Sequence, residues 1–117
     1  MKYLVTIHRP QNFDHAEKLS ADVHKAIDDV NDEMVASGVR LFVGGLQSTS
    51  EAKSILLNPD NSTLITDGPF LETNEYVDGL WVLGCDSSEK AIEWGRKAAL
   101  ACRGSVEVRP FAGAVVG

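Results

Sequence analysis

The chain has 117 residues, of which 44% are hydrophobic and 24% are charged, and this composition predicts one globular domain over residues 1–117. Its 17 acidic and 11 basic residues give a net charge of -6, and no run of Lys or Arg offsets it, so we expect no direct binding to nucleic acid. No segment has the roughly 20 apolar residues of a membrane span and none resembles a signal peptide, which predicts a cytoplasmic protein without membrane contact.

The first part of the chain predicts a strand, a long helix and a second strand. Residues 2–8 are rich in β-forming side chains. Between Ala16 and Ser37 the apolar residues recur every three or four positions, which predicts one amphipathic helix that ends at Gly38. Residues 39–46 alternate between apolar and other side chains and predict the second strand.

The middle of the chain predicts a β-hairpin and a further strand. Residues 52–57 and 62–66 are apolar segments on either side of the turn sequence Asn-Pro-Asp-Asn, which favours a hairpin. After a second turn, residues 77–85 form another apolar segment of strand length.

The last part predicts a helix and a final strand. A capping-box pattern from Asp86 to Glu89 opens a helix, and one face of that helix carries small residues and Ile92, so it can lie close to a sheet. Residues 105–110 predict the last strand. This order of elements predicts an α+β fold, a ferredoxin-like sandwich with an extra β-hairpin and with both helices on one face of the sheet.

Period-two alternation divides the strands between a face under the helices and an open face. On the open face we expect His8, Arg40, Glu107 and Arg109 together with exposed apolar side chains. Such a face is commonly covered by a second copy of the chain, which predicts a homodimer whose two sheets enclose a cavity. Arg40 or Arg109 would hold a small anionic metabolite there. The face under the helices is predicted to carry Tyr3, Val5, Ile7, Val39, Leu41, Val43, Val106 and Val108.

A tight corner, Asp67-Gly68-Pro69-Phe70, directly precedes Glu72 and Glu75. Two interpretations are open. The corner is structural if Asp67 caps its own turn and Gly68 adopts a backbone conformation that other residues avoid. It is the rim of a binding site if Asp67 faces a ligand.

The candidate site residues follow from the expected topology. The first strand should run antiparallel to the strand after the corner, so its end at His8 should lie beside Asp78. A histidine next to a carboxylate suits proton transfer near neutral pH. We therefore predict His8 and Asp67 as catalytic residues. The predicted substrate-binding residues are Arg40, Glu72, Glu75, Asp78, Glu107 and Arg109.

The spacing of the metal-binding residue types argues against a cofactor. The sequence has no HxH, HExxH or CxxC motif and no phosphate-binding or dinucleotide-binding loop. We therefore expect neither a metal nor an organic cofactor. Cys85 and Cys102 are expected to be buried free thiols.

Several segments resemble one protein family. They are the opening MKYLVTI, DGPF at 67–70 followed by ETNE, the helix sequence EKAIEWGRKA, and the terminal VEVRP. In this combination the chain resembles the YCII-related, or DGPF-domain, proteins over essentially its whole length. Asn74 stands where the family usually has Lys. The resemblance implies a dimeric α+β barrel on a ferredoxin-like fold, similar to that of muconolactone isomerase. A His–Asp pair is proposed as catalytic in related YCII proteins, but no local motif here matches that pair.

Two kinds of function remain open at this point. The first is a cofactor-independent acid–base enzyme of isomerase or lyase type that acts on a small molecule. The second is a non-catalytic regulatory module that binds a ligand or a partner protein, since some relatives are associated with transcription or stress regulation. The acidic net charge predicts that such regulation would not involve direct contact with DNA.

Overall fold

The computed structural model describes residues 1–113. In these residues the elements are, in chain order, β1 (Lys2–Pro10), α1 (His15–Lys18), α2 (Ala21–Ala36), β2 (Arg40–Gly45), a 3₁₀ turn (Thr49–Glu51), β3 (Lys53–Leu57), β4 (Thr63–Asp67), β5 (Glu75–Gly84), α3 (Ser88–Cys102) and β6 (Ser105–Pro110).

Four of the strands form one antiparallel sheet in the order β2-β5-β1-β6. α2 and α3 pack on one face of this sheet and against each other. The strands β3 and β4 form a separate two-stranded hairpin between β2 and β5. This arrangement is a ferredoxin-like α+β fold with an inserted hairpin, so the predicted fold is confirmed.

The helix that the sequence predicted over residues 16–37 is interrupted after its first turn. Asp14 caps the short α1, Leu19 leaves the helical conformation, and Ser20 precedes α2 in an extended conformation. At the other end Gly38 has φ +71°, which confirms it as the residue that ends the helix. None of the helices in residues 1–113 is long and apolar enough to cross a membrane.

The core lies between the helices and the covered face of the sheet. Val5, Met34 and Leu83 are fully buried there. α3 approaches β6 closely because it carries Gly95: a Cβ added at Gly95 would lie 2.6 Å from Cγ2 of Val108. The prediction of a small-residue face is therefore confirmed, whereas Ile92, assigned to that face, is 50% exposed. The buried cluster contains Tyr3, Val5, Ile7, Met34, Trp81, Leu83, Cys85, Ala91, Ala98 and Cys102.

β2 departs from the predicted alternation. Its register with β5 shifts between Arg40 and Phe42, which leaves Leu41 as an extra residue. Nη1 of Arg40 donates to Oδ1 of Asn31 on α2 at 3.2 Å, and Leu41 is 52% exposed beside Gly84. The prediction that Arg40 lies on the open face and Leu41 under the helices is wrong, because the bulge changes the face of these two residues, whereas Phe42 stays on the open face opposite Val82.

The hairpin extends away from the two-layer body. The molecule measures 49 × 39 × 20 Å, and its radius of gyration of 16.2 Å exceeds the roughly 13 Å of a compact chain of this size. The 20 Å dimension fits one sheet and one helical layer, so within residues 1–113 the second face of the sheet has no covering layer. On the hairpin, Ile55, Leu57 and Ile65 are exposed.

Both cysteines are buried free thiols, as predicted. Burial raises the pKa of the Cys102 thiol to about 11, with a smaller opposing effect of Arg9. Burial also raises the pKa of the Cys85 thiol. These thiols are therefore protonated at neutral pH and form part of the core.

Candidate functional site

A bulge in β5 gives Asp78 its position. The register of β1 against β5 pairs Ile7 with Gly79 and then His8 with Val77, so Asp78 is the extra residue on β5. Its backbone carbonyl still accepts a hydrogen bond of 2.9 Å from the residue that follows β2. Bulges redirect side chains and are frequent next to active sites.

The carboxylate of Asp78 joins an arginine and a histidine, and we call Arg9, Asp78 and His15 the Asp78 cluster. Oδ2 of Asp78 lies 3.4 Å from Nε of Arg9, and Oδ1 lies 2.9 Å from Nε2 of His15. The side chains are 3% exposed for Arg9, 16% for Asp78 and 46% for His15. The cluster therefore leads from the interior to the surface, and His15 is its accessible end.

Arg9 is fixed from several directions. Its Nη1 donates to the carbonyl oxygen of Cys102 at 2.6 Å and to that of Arg103 at 3.3 Å, at the C-terminal end of α3. A cation is favourable there because the helix dipole is negative at that end. The guanidinium also lies 4.4 Å from the ring centroid of Phe13. A Cβ on Gly104 would lie 2.8 Å from Nη1, so glycine leaves the room that the guanidinium occupies.

His15 is positioned by the start of α1 and by Asp78. The side chain of Asp14 accepts the N–H of Glu17 and caps α1, and the ring of Phe13 packs edge-on against the imidazole with centroids 4.8 Å apart. An ionised carboxylate only accepts hydrogen bonds, so in the neutral imidazole this contact places the proton on Nε2 and the lone pair on Nδ1. A carboxylate that fixes the tautomer of a histidine is a common arrangement for a general base.

Asp78 and His15 line a cavity of about 360 Å³ to which three segments contribute, residues 11–15, 46–49 and 76–78. This volume lies within the range of small-molecule pockets, and the lining offers aromatic, hydroxyl and amide groups to a ligand. Asp78 also lines a second cavity of about 180 Å³ whose other lining is mainly apolar. The first cavity is lined by Gln11, Phe13, His15, Leu46, Ser48, Thr49, Tyr76 and Asp78.

His8 lies on the other side of the sheet from this cavity. It pairs with Val77 as the predicted topology requires, but its Nε2 is 2.8 Å from Oγ1 of Thr6 on the open face. The expected contact between His8 and Asp78 is therefore not formed. The reason is the alternation along β1, which places His8 and its neighbour Arg9 on opposite faces.

At the corner Gly68 has the conformation that the structural interpretation expects, whereas in residues 1–113 the Asp67 side chain contacts Lys53 and forms no hydrogen bond within its own turn. Asp67 pairs with Lys53 across the hairpin, and its side chain is 86% exposed. Gly68 has φ +95°, a conformation that L side chains rarely adopt, and its carbonyl oxygen accepts a hydrogen bond of 2.8 Å from the hydroxyl of Ser54. Within residues 1–113 no hydrogen bond or ion pair joins Asp67 to the Asp78 cluster.

The other predicted site residues lie apart from the cavity. Glu72 and Glu75 are exposed, before and at the start of β5. Glu107 and Arg109 lie together on the open face of β6, as predicted, with 4.0 Å between Oε1 and Nη1. Of the predicted residues only Asp78 belongs to the cluster. The sequence reasoning missed Arg9, His15 and Tyr76, although the cap of α1 at Asp14 was a readable signal that the segment around His15 is ordered.

The fold and the cluster define a small ferredoxin-like α+β domain with a histidine–carboxylate pair at a cavity. The model of the YCII-related domain family matches residues 1–112, and the chain belongs to this family. The chain is also similar to an uncharacterized protein of Rhizobium meliloti (strain 1021), with 36% identity over 63 residues. The match covers 52% of this chain and 51% of that relative, so the chain spans about half the length of the relative it matches.

Arg9→Met tests the contribution of the buried ion pair. We expect the free energy of unfolding, measured with urea, to fall by about 3 kcal/mol, because the substitution breaks the buried ion pair and removes the donor to Oδ2 of Asp78 and to the carbonyl oxygen of Cys102. Arg96→Met is the matched control: Arg96 and Glu93 form an exposed pair, and we expect a change below about 0.5 kcal/mol. Equal effects of the two substitutions would contradict the structural role of Arg9.

Proposed function

We propose that this protein is a cofactor-independent acid–base enzyme of isomerase or lyase type. The observation that supports it is the bond of 2.9 Å between Oδ1 of Asp78 and Nε2 of His15 at the wall of a cavity of about 360 Å³. A fully exposed imidazole has no partner that fixes its tautomer or its orientation. The imidazole of His15 is held by the Asp78 carboxylate and by the ring of Phe13.

In this function Nδ1 of His15 removes a proton from the substrate and later returns it. The Asp78 carboxylate stabilises the imidazolium that forms between the two steps, and Arg9 keeps the carboxylate in place. A positioned general base typically contributes a factor of about 10² to 10⁴ to the rate. In this proposal the catalytic residue is His15, in place of His8 and Asp67, which the sequence predicted. Asp78 is a positioning residue.

The sequence predicts an anionic ligand because Arg40 or Arg109 was expected to bind it. Arg40 is bonded to α2 and Arg109 lies on the open face, so neither lines the cavity of the Asp78 cluster. A small anionic metabolite at Arg109, between two copies of the chain, stays a prediction.

We also propose that the protein is a homodimer in which the open faces of two copies of the sheet meet, as in a dimeric α+β barrel. Leu41 and Phe42 on β2 are 52% and 56% exposed, and the adjacent strands contribute Leu4 and Val82 to the same face. A contiguous apolar patch on a sheet is costly in water and is commonly covered by a symmetric copy.

The second candidate function is a non-catalytic regulatory module that binds a ligand or a partner protein. The exposed apolar side chains of Ile55, Leu57 and Ile65 on the hairpin favour it, since such patches mark protein-binding surfaces. The net charge of -6 favours contact with protein or ligand rather than DNA. A cytoplasmic location stays a prediction.

His15→Ala and Asp78→Asn test the enzymatic function. A panel of small ketones and lactones is incubated with the protein in deuterium oxide, and turnover or deuterium incorporation is followed by proton NMR. We expect His15→Ala to lower the rate at least about 100-fold, because it removes the base, and Asp78→Asn to lower it as well, because an amide no longer fixes the tautomer.

The matched control is His24→Ala, since His24 is exposed on α2 and lies outside the cavity lining. His8→Ala and Asp67→Asn test the assignment made from sequence. The proposed function is contradicted if these two substitutions abolish turnover while His15→Ala and Asp78→Asn leave it intact.

Light scattering during gel filtration tests the dimer. At micromolar concentration we expect twice the chain mass of 12.7 kDa. Phe42→Asp, on the open face, should shift the mass towards that of the monomer because it buries a charge in the interface. Leu100→Asp, at a 70% exposed position on α3, is the control and should leave the mass unchanged. A monomeric wild type would argue against the dimer.

A further inference from the structure

We infer that the cavity at the Asp78 cluster takes an uncharged carbonyl compound, and that the hydroxyl of Tyr76 is a second catalytic group that donates a hydrogen bond to the carbonyl oxygen. This inference rests on the proposed function of His15 and Asp78. It adds the chemical class of the substrate and a residue that the acid–base pair alone does not require.

Tyr76 is placed beside the pair by the register of the sheet. It lies directly opposite Arg9 on β1, so both side chains are on the same face, and it precedes the bulge residue Asp78 by two positions. Its side chain lines the same cavity as His15. The base and the phenol therefore border one ligand volume of about 360 Å³.

The hydroxyl of Tyr76 is available to a ligand. Within residues 1–113 it forms no hydrogen bond to protein, although the side chain is half-buried. The hydroxyl of Thr49, which also lines the cavity, has no protein partner in the same part of the chain. Tyrosine hydroxyls that are buried usually have a partner, so an unpaired one at a cavity wall is suited to bind an acceptor oxygen.

The local charges keep this phenol protonated. Burial raises the pKa of the Tyr76 phenol, the nearby Asp78 carboxylate raises the pKa further, and Arg9 has a smaller opposing effect. A phenol whose pKa lies above its usual value near 10 is a donor throughout the neutral range. Tyr76 therefore carries the proton that a hydrogen bond to a carbonyl oxygen requires.

The charge of the lining determines the class of ligand. The cavity contains the carboxylate of Asp78, and no Lys or Arg is among the described residues that line it. Arg9 is bonded to Asp78 and to the carbonyl groups at the end of α3, so its charge is already neutralised. An anionic ligand would meet no free cation in this lining, because Arg9 and Asp78 offset each other's charges, whereas a neutral carbonyl group meets hydroxyl donors.

The reaction that these groups support is a proton shift next to a carbonyl group. Nδ1 of His15 takes a proton from the carbon adjacent to the carbonyl, the C–H electron pair forms a carbon–carbon double bond, and the carbonyl π pair moves to oxygen. The oxygen then holds the developing negative charge and accepts the hydrogen bond of Tyr76. Return of the proton from the imidazolium to the same or another carbon restores the carbonyl group and the base. No oxidant, reductant or second substrate is consumed.

The test uses the full chain with the β,γ-unsaturated isomer of cyclohexenone as the probe. Its conversion to the conjugated enone is followed by ultraviolet absorbance, and deuterium incorporation is followed by proton NMR. We expect Tyr76→Phe to lower the rate about 100-fold, which is the typical effect of removing one donor to a developing oxyanion. Tyr3→Phe is the matched control, because Tyr3 is buried in the core outside this cavity, and it should change the rate less than about twofold.

The same design separates failure of this inference from failure of the proposed function. Equal rates for Tyr76→Phe and Tyr3→Phe, with loss of activity in His15→Ala, would overturn the role of Tyr76 and leave the acid–base pair. Binding of cyclohexenecarboxylate with higher affinity than the ketone, measured by NMR shifts of His15, would overturn the substrate class. Absence of both turnover and any shift of His15 would overturn the inference and the proposed function together. Matching melting temperatures of the variants and the wild type exclude unfolding as the cause.

Discussion

The contact between the carboxylate of Asp78 and the guanidinium of Arg9 links the sheet and the end of α3 to the wall of the cavity. Arg9 extends from β1 to the carbonyl groups at the end of α3, while Asp78 is carried by β5. The pair therefore links two strands and a helix at one end of the sheet. His15 completes it from the surface, where Oδ1 of the same carboxylate binds the imidazole. One carboxylate serves both the packing of the domain and the orientation of the His15 ring.

Most of the fold was predictable because it depends on periodicity. The stripe of α2, the small residues of α3 and the alternation of β1 and β6 all led to the observed elements and the observed core. The bulges of β2 and β5 were not predictable, since one extra residue in an apolar strand changes neither composition nor length noticeably. In β2 that single residue moved Arg40 from the expected open face to a hydrogen bond with α2.

The site was less predictable than the fold because it depends on which face each side chain takes. Asp78 lies beside the end of β1, as expected, but the residue that meets it is Arg9 and not its neighbour His8. A difference of one position along a strand reverses the face. His15 comes from a short helix in a polar segment, and its contact with Asp78 spans 63 positions of sequence, which no local pattern reveals.

The chain belongs to the YCII-related family, and the central claim of the proposed function is that Asp78 fixes the tautomer of His15. Long-range proton–nitrogen NMR correlation of the imidazole at mildly alkaline pH measures this directly. We expect Nε2 to carry the proton and Nδ1 to carry the lone pair in the wild type, and the ring to revert towards a mixture of tautomers in Asp78→Asn. A wild-type ring protonated on Nδ1, or one that is unchanged by that substitution, would contradict the claim.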